Sequence, residues 1–192
     1  MKKQTEQQFS EWAEKISRSD RRAFDDMFRS FYPVLVRFAM LYVSDKTASK
    51  DIVQDCFVSL WQTRHRIDAA RSLKSYMYMI VRNRALNVIR DRSGIDVDHE
   101  LATNYGAGQS ADQELKADED DDSTLEQLMN IWIDQLPGRQ KEAFNLSRFE
   151  GLDHDEIAEV MNVSPKTVNN HIVAALRSLR EKYEQYENHS KD

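Results

Sequence analysis

The sequence contains one cysteine, five glycines and three prolines among its 192 residues. The lone Cys56 excludes an internal disulfide; set between Asp55 and Phe57 in a helical pattern, it reads as a small buried residue. So little Gly and Pro leaves few turns, and no run alternates as a half-buried strand does, which argues for a nearly all-helical chain. Long apolar runs are absent: the most apolar stretch, Ala39–Val43, is far below the ~20 residues that span a bilayer. The opening MKKQTEQQFSEW has charge but no apolar segment behind it, so it is not read as a signal peptide. His65, His99, His154, His171 and His189 are scattered without ligand spacing, which argues against a zinc site. With no phosphate-cradling Gly loop and no nucleophile–base–orienter set, a helical enzyme has no support. The expectation is a cytoplasmic, non-enzymatic protein with no cofactor, no metal and no membrane insertion.

What the chain does have is helical periodicity, clearest in Ser72–Arg92. Leu73, Met77, Ile80, Val81 and Val88 fall on one side of a helix. Tyr76, Met79, Asn83, Asn87 and Arg90 form an adjacent stripe that mixes rings, amides and a guanidinium. That mixture suits nucleic acid, because rings stack on bases, amides read base edges and cations hold phosphates. It equally suits a surface helix whose Tyr and Met are half buried.

Net charge is −6, but the charges are segregated. Eight cations and two anions between Arg64 and Arg92 leave a surplus of +6; eleven anions and one cation between Asp96 and Glu126 leave −10. Residues 95–122, polar and ending in DEDDD, read as a flexible acidic linker that like charge keeps extended and away from DNA. It divides the chain into two small helical domains, 1–94 and 123–192.

In the first domain, a short helix carries Phe9, Trp12, Ala13 and Ile16, and Ser19 or Asp20 caps the next. That helix is expected from Arg21 through Phe31, with Phe24, Met27, Phe28 and Phe31 inward, until Pro33 interrupts or kinks it. Val34–Val43 is apolar enough for the centre of a bundle. Ser44 is expected to cap a helix over Asp45–Arg64, with Ile52, Val53, Cys56, Leu60 and Thr63 inward and Asp51, Gln54, Asp55, Val58 and Gln62 outward. Phe57 and Trp61, four apart, share a side that suits either a docked helix or the domain's own core.

In the second domain, Ser123 is expected to cap a helix carrying Leu125, Leu128, Met129, Trp132, Ile133 and Leu136, ended by Pro137–Gly138. Arg139–Phe149 forms the next, with Ala143, Phe144, Leu146 and Phe149, and Gly151 stops it. Asp153 starts a short helix with Ile157, Ala158 and Met161 inward; Asn162 tolerates a left-handed turn, Ser164 caps and Pro165 opens the last helix, to about Tyr186. Val168, Ile172, Ala175, Leu176 and Leu179 make its buried stripe. Short helix, tight turn, longer helix is a helix-turn-helix. Lys166, Asn170, Val173, Ala174 and Arg177, flanked by Thr167, Asn169 and His171, face outward, where Asn can pair with adenine and the cations with phosphates. A helical hairpin that only holds a partner fits the same pattern.

Four stretches, FDDMFRSFYPVLVRFA at 24–39, DIVQDCFVSLWQTR at 51–64, SLKSYMYMIVRNRALNVIRDR at 72–92 and LDHDEIAEVMNVSPKTVNNHIVAALRSLR at 152–180, resemble in order and spacing the extracytoplasmic-function (ECF) group of bacterial sigma-70 factors, in the style common among Bacteroidetes. The resemblance implies core RNA polymerase, promoter DNA and an anti-sigma factor as partners. It assigns docking on the polymerase clamp to Asp51, Gln54, Asp55, Phe57 and Trp61. Recognition and opening of the −10 element fall to Arg64, Arg66, Arg71, Lys74, Tyr76, Arg82, Asn83, Asn87 and Arg90. Asn83 matches a recurring Asn of the family, and Tyr76 a position usually held by Trp. Reading of the −35 element falls to Lys166, Thr167, Asn169, Asn170, His171, Val173 and Arg177; Asn169 and His171 depart from the Arg frequent there. The acidic linker matches the family's connector, thought to run through the polymerase's RNA path. KTVNNHI also resembles LuxR-like regulators, a reading that leaves the first 92 residues unexplained.

Overall fold

The computed structural model describes residues 2–68, 71–93 and 121–189. Within them the chain is helical: α1 (Lys2–Ser17), α2 (Arg21–Ala39), α3 (Lys46–Gln62), a 3₁₀ turn (Arg64–Arg66), α4 (Leu73–Ser93), α5 (Asp121–Asp134), α6 (Gly138–Arg148), α7 (His154–Met161) and α8 (Pro165–His189). No strand occurs among the described residues. The expected linker lies outside them for residues 95–120, and α5 opens at Asp121, two residues before the expected cap.

Local signals set most boundaries. Asp20 caps α2 by accepting from the N–H groups of Arg22 and Ala23 at 2.9 and 3.2 Å. Ser19 instead takes a left-handed backbone (φ 68°) that turns the chain out of α1. Asp45, not Ser44, caps α3, accepting from Thr47 and Ala48. Pro33 does not interrupt α2, which runs six residues past it to Ala39. Pro33 is exposed, so water can satisfy the carbonyl it deprives of a donor, while burial of Leu35, Val36, Phe38 and Ala39 beyond it favours continuing the helix.

The first four helices pack around Met27, Leu35, Val53, Leu60, Met77 and Val81, all fully buried. Phe57 is only 2% exposed, edge-on to Phe24 and Phe28. Of its two sequence readings the core one is observed, and its assignment as a polymerase contact is corrected: the ring belongs to the bundle because α2 lays an aromatic row over it. Trp61 is half-buried against Phe24.

Helix α4 departs from the simple one-sided pattern. Its buried row is Leu73, Met77, Tyr78, Val81, Arg82, Ala85 and Ile89, with Ile80 and Val88 half-buried at the edge. The row is wider than the apolar residues alone predict because α7 packs on α4 from the second half, and one apolar cluster joins the two. Ile157, Ala158, Val160 and Met161 of α7 belong to it. A smaller cluster, Ile133, Leu136, Phe144, Ala175 and Leu179, holds α5 and α6 to α8. Leu176, expected inward, is about half exposed, as is Phe149.

Candidate nucleic-acid interface

The loop before α4 is shaped by Arg64. Its Nε donates to Ser19 Oγ at 2.8 Å, its Nη1 to the Trp61 carbonyl at 2.7 Å, and its guanidinium carbon lies 4.5 Å from the Trp61 ring centroid. A half-buried Arg so held ties the α1–α2 turn to the end of α3 and is not free to meet phosphate. Arg66 and Arg71 are exposed. With Ile67, Ser75, Tyr76 and Met79 they line a cavity of about 600 Å³, at whose edge stands Glu159 of α7. The lining brings a ring and a thioether together with two guanidinium groups, and with the carboxylates of Asp68 and Glu159; the ring, thioether and cations suit a flat, π-rich group.

Along α4, Tyr76, Asn83, Asn87 and Arg90 are exposed and Met79 half-exposed, so the mixed stripe faces outward together. Asn83 does not line the cavity. Arg82 is 2% exposed and turned into the protein, which corrects its expected place on a DNA-facing surface. Its Nε donates to Glu142 Oε1 at 2.5 Å, and the Tyr42 hydroxyl donates to the same oxygen at 2.5 Å. Arg139 Nη1 approaches Glu142 Oε2 at 3.4 Å. Burial pulls the Arg82 pKa down, but Glu142 and Tyr42 more than offset it, so the guanidinium stays charged; burial and then Glu142 push the Tyr42 phenol well up. Lys74 is also drawn to the second half, its Nζ bonded to the Glu150 carbonyl. Tyr78 donates to the Glu150 carboxylate and is pushed up by burial and by that charge.

These joining residues escaped the sequence reading. Glu142 stands beside Ala143 and Phe144 on the buried side of α6, and a carboxylate on an apolar face is the one signal that marked it. Tyr42 and Tyr78 carry no such mark.

In the second half, Asp153 accepts from Glu156 N while Glu156 accepts from Asp153 N, a reciprocal cap on α7. Asn162 ends α7 with left-handed φ 53°, ψ 51°, and Val163 N reaches back to the Ala158 carbonyl at 3.0 Å. Ser164 Oγ then accepts from Thr167 N at 3.1 Å and Pro165 opens α8. This corner is a helix-turn-helix with α8 as its longer helix. Lys166, Asn169, Asn170, Val173 and Arg177 are exposed, Val173 by 50%; Thr167 and His171 are half-buried at the flanks. Burial, then the nearby Arg139, lower the His171 pKa against the pull of Glu142.

On α3, Asp51, Gln54 and Asp55 are exposed, with Val58 between them 54% exposed. Among the described residues no group of His, Cys, Asp or Glu is arranged to hold a metal ion, and no helix is long and apolar enough to cross a membrane.

The family model for sigma-70 region 2 matches residues 27–95, and that for sigma-70 region 4 matches residues 133–179. The chain belongs to the sigma-70 family. The sigma factor is 24% identical over 180 residues to the RNA polymerase sigma-H factor of Pseudomonas aeruginosa, covering 91% of this chain and 93% of the relative. It is 26% identical over 174 residues to the ECF RNA polymerase sigma-E factor of Haemophilus influenzae, covering 88% and 92%. Its fold is similar to that of CnrH in complex with the cytosolic domain of CnrY, at a TM-score of 0.63 and 19% identity over 93% of this chain and 98% of CnrH. It is also similar to the sigma factor RpoE in complex with the anti-sigma factor NepR from Bartonella quintana, at 0.58 and 20% identity over 84% and 96%. The protein is therefore an ECF RNA polymerase sigma factor, which directs the polymerase to promoters and performs no catalysis itself. The match over 27–95 accounts for the half that a LuxR-like regulator leaves unexplained.

Proposed function

We infer that residues 1–94 bind core polymerase and recognise and melt the −10 element, that 95–122 connect, and that 123–192 anchor the factor on the −35 element. The observation that carries this is the cavity of about 600 Å³ lined by Arg66 and Arg71 of the loop and by Tyr76 and Met79, two members of the outward stripe of α4. Extruding a base costs a few kcal/mol, and stacking it returns ~1–3 kcal/mol per base, so such a pocket can hold a promoter strand open. Arg66, Arg71, Tyr76, Asn83, Asn87 and Arg90 would meet that strand, and Arg64 would position the loop. On α8, Lys166, Asn169, Asn170, Val173 and Arg177 would enter the major groove, with Thr167 and His171 at its edges. Asp51, Gln54, Asp55 and Trp61, with Val58, would dock on the polymerase.

The factor would work in the cytoplasm, in an organism of Bacteroidetes type, and be held inactive by an anti-sigma factor. Two relatives of the same fold were each solved with a bound protein partner, which supports that last reading. The test is transcription in vitro with purified core polymerase on genomic promoters, with start sites mapped. Initiation at discrete sites is expected; failure to associate with core, or to make it initiate, refutes the assignment.

A further inference from the structure

Most of the outward face of α8 is polar, but its centre is not. At 3.6 residues per turn, successive positions turn by about 100°, so Lys166, Asn169, Asn170, Val173 and Arg177 fall within a sector of about 100° with Val173 in the middle of it. All five are exposed, Val173 by 50%. From Pro165, where α8 begins, to Val173 is about 12 Å at ~1.5 Å per residue. That is within the ~12 Å width of a major groove. Leu176, also half exposed, lies at the edge of the sector and most of a turn further along, at the rim of the groove.

A single exposed valine needs no explanation on an ordinary surface. On a face that enters a groove it does, because docking takes both surfaces out of water. Base-pair edges in the major groove carry donors and acceptors, and the C5-methyl of thymine is the apolar group among them. Set against a guanine O6, an adenine N7 or a cytosine amino group, the Val173 methyls would leave that group without a partner. Set against a thymine methyl, they bury apolar surface on both sides. The side chain is β-branched and holds one preferred rotamer in a helix, so little freedom is lost when it docks. Its neighbours supply the rest of an A·T reading. Asn169 and Asn170, four and three positions earlier, stand ~5–6 Å away between Cβ atoms, less than two base-pair steps of ~3.4 Å. An Asn amide matches the N6–N7 edge of adenine.

We propose that Val173 reads a thymine methyl, and that the −35 element carries this thymine within two base-pair steps of the adenine taken by Asn169 or Asn170. The proposal rests on the assignment of −35 recognition to α8. It makes a side chain with no polar group a determinant of sequence, by attraction to one base and by leaving the polar edges of the others unpaired. Lys166 and Arg177, at the two ends of the stripe, hold the phosphates that set the register.

The test uses the holoenzyme, assembled from core polymerase and the full chain, and promoter duplexes taken from the mapped start sites. Each thymine of the −35 element is replaced in turn by deoxyuridine, which keeps every hydrogen-bonding group and lacks only the methyl. One position is expected to lose affinity about fourfold, as for one buried methyl group. In Val173→Ala, affinity for the unmodified promoter is expected to fall by a similar factor, and deoxyuridine at that position to have no further effect. Val173→Ile keeps an aliphatic group there and is expected to retain the response. Both substitutions fall at an exposed position, so the buried stripe of α8 is undisturbed. No response at any thymine with the unaltered protein overturns the contact, as does a response that persists in Val173→Ala. Lys166→Ala with Asn170→Ala in the same holoenzyme separates the contact from the assignment beneath it. If that variant binds promoters as the unaltered protein does, α8 does not read the −35 element and the contact falls with it. If it weakens binding and no deoxyuridine does, only the contact falls.

Discussion

Replacing Glu142 tests the energetics of the joint between the halves most directly. The Arg82 and Glu142 side chains are 3% and 7% exposed, and the pair is 2.5 Å apart. Removing one partner of a buried pair typically costs about 3–5 kcal/mol, because the other charge is left without compensation, whereas replacing both by apolar groups is often close to neutral. Glu142→Leu strands Arg82 and also deprives Tyr42 and Arg139, so it belongs near the upper end of that range. Arg82→Met is milder, about 1–3 kcal/mol, because Glu142 keeps the Tyr42 donor and Arg139 at 3.4 Å. The double variant is then expected to be more stable than Glu142→Leu alone, by at least about 1 kcal/mol. Urea unfolding followed by circular dichroism at the helix band measures all four proteins. A lower m-value in Glu142→Leu would mark a native state that exposes more surface, meaning that the halves have parted rather than unfolded. Additive single costs in the double variant would refute the reasoning, since they would mean that Arg82 and Glu142 do not sense each other.

Asn83→Ala is expected to impair strand opening, read by permanganate reactivity, more than duplex binding in a gel shift; equal losses would remove the residue from melting. Asp153→Ala deletes one arm of the cap on α7 and is expected to cost about 1 kcal/mol in denaturant unfolding, with weaker −35 binding as the corner loosens. Asn170→Ala is expected to cost about 1–3 kcal/mol and relax preference at one base position, while Lys166→Ala weakens all sequences alike and lowers the salt slope by about one. The His171 pKa is depressed in the folded state, so the unfolded chain binds the proton more readily; stability is full above the ordinary histidine range near 6.5 and is lost as pH falls below it. Melting temperatures between pH 7.5 and 5.5 check this, and His171→Gln is expected to flatten that part of the profile.

The helices and several of their ends were legible in the residues themselves, though not the run of α2 past Pro33 or the capping of α3 by Asp45. Asp20, Asp153, Asn162 and Pro165 act through neighbours two to five positions away, so their chemistry is local. The outward stripe of α4 and the outward face of α8 were legible too, because helical spacing fixes which side chains stand side by side. What surrounds a helix is not a local property. Arg82 counts as one more cation of a basic block until α6 brings Glu142 against it, sixty positions on. Phe57 fits a docking face as well as a core until α2 covers it. The sequence alone determined the helical pattern, the caps at Asp20, Asp153 and Ser164 and a family resemblance, since short-range geometry suffices for each. Only the tertiary structure decided that the two halves close on α4, because that depends on which buried donors meet which carboxylates across long stretches of chain, and periodicity carries no record of such meetings.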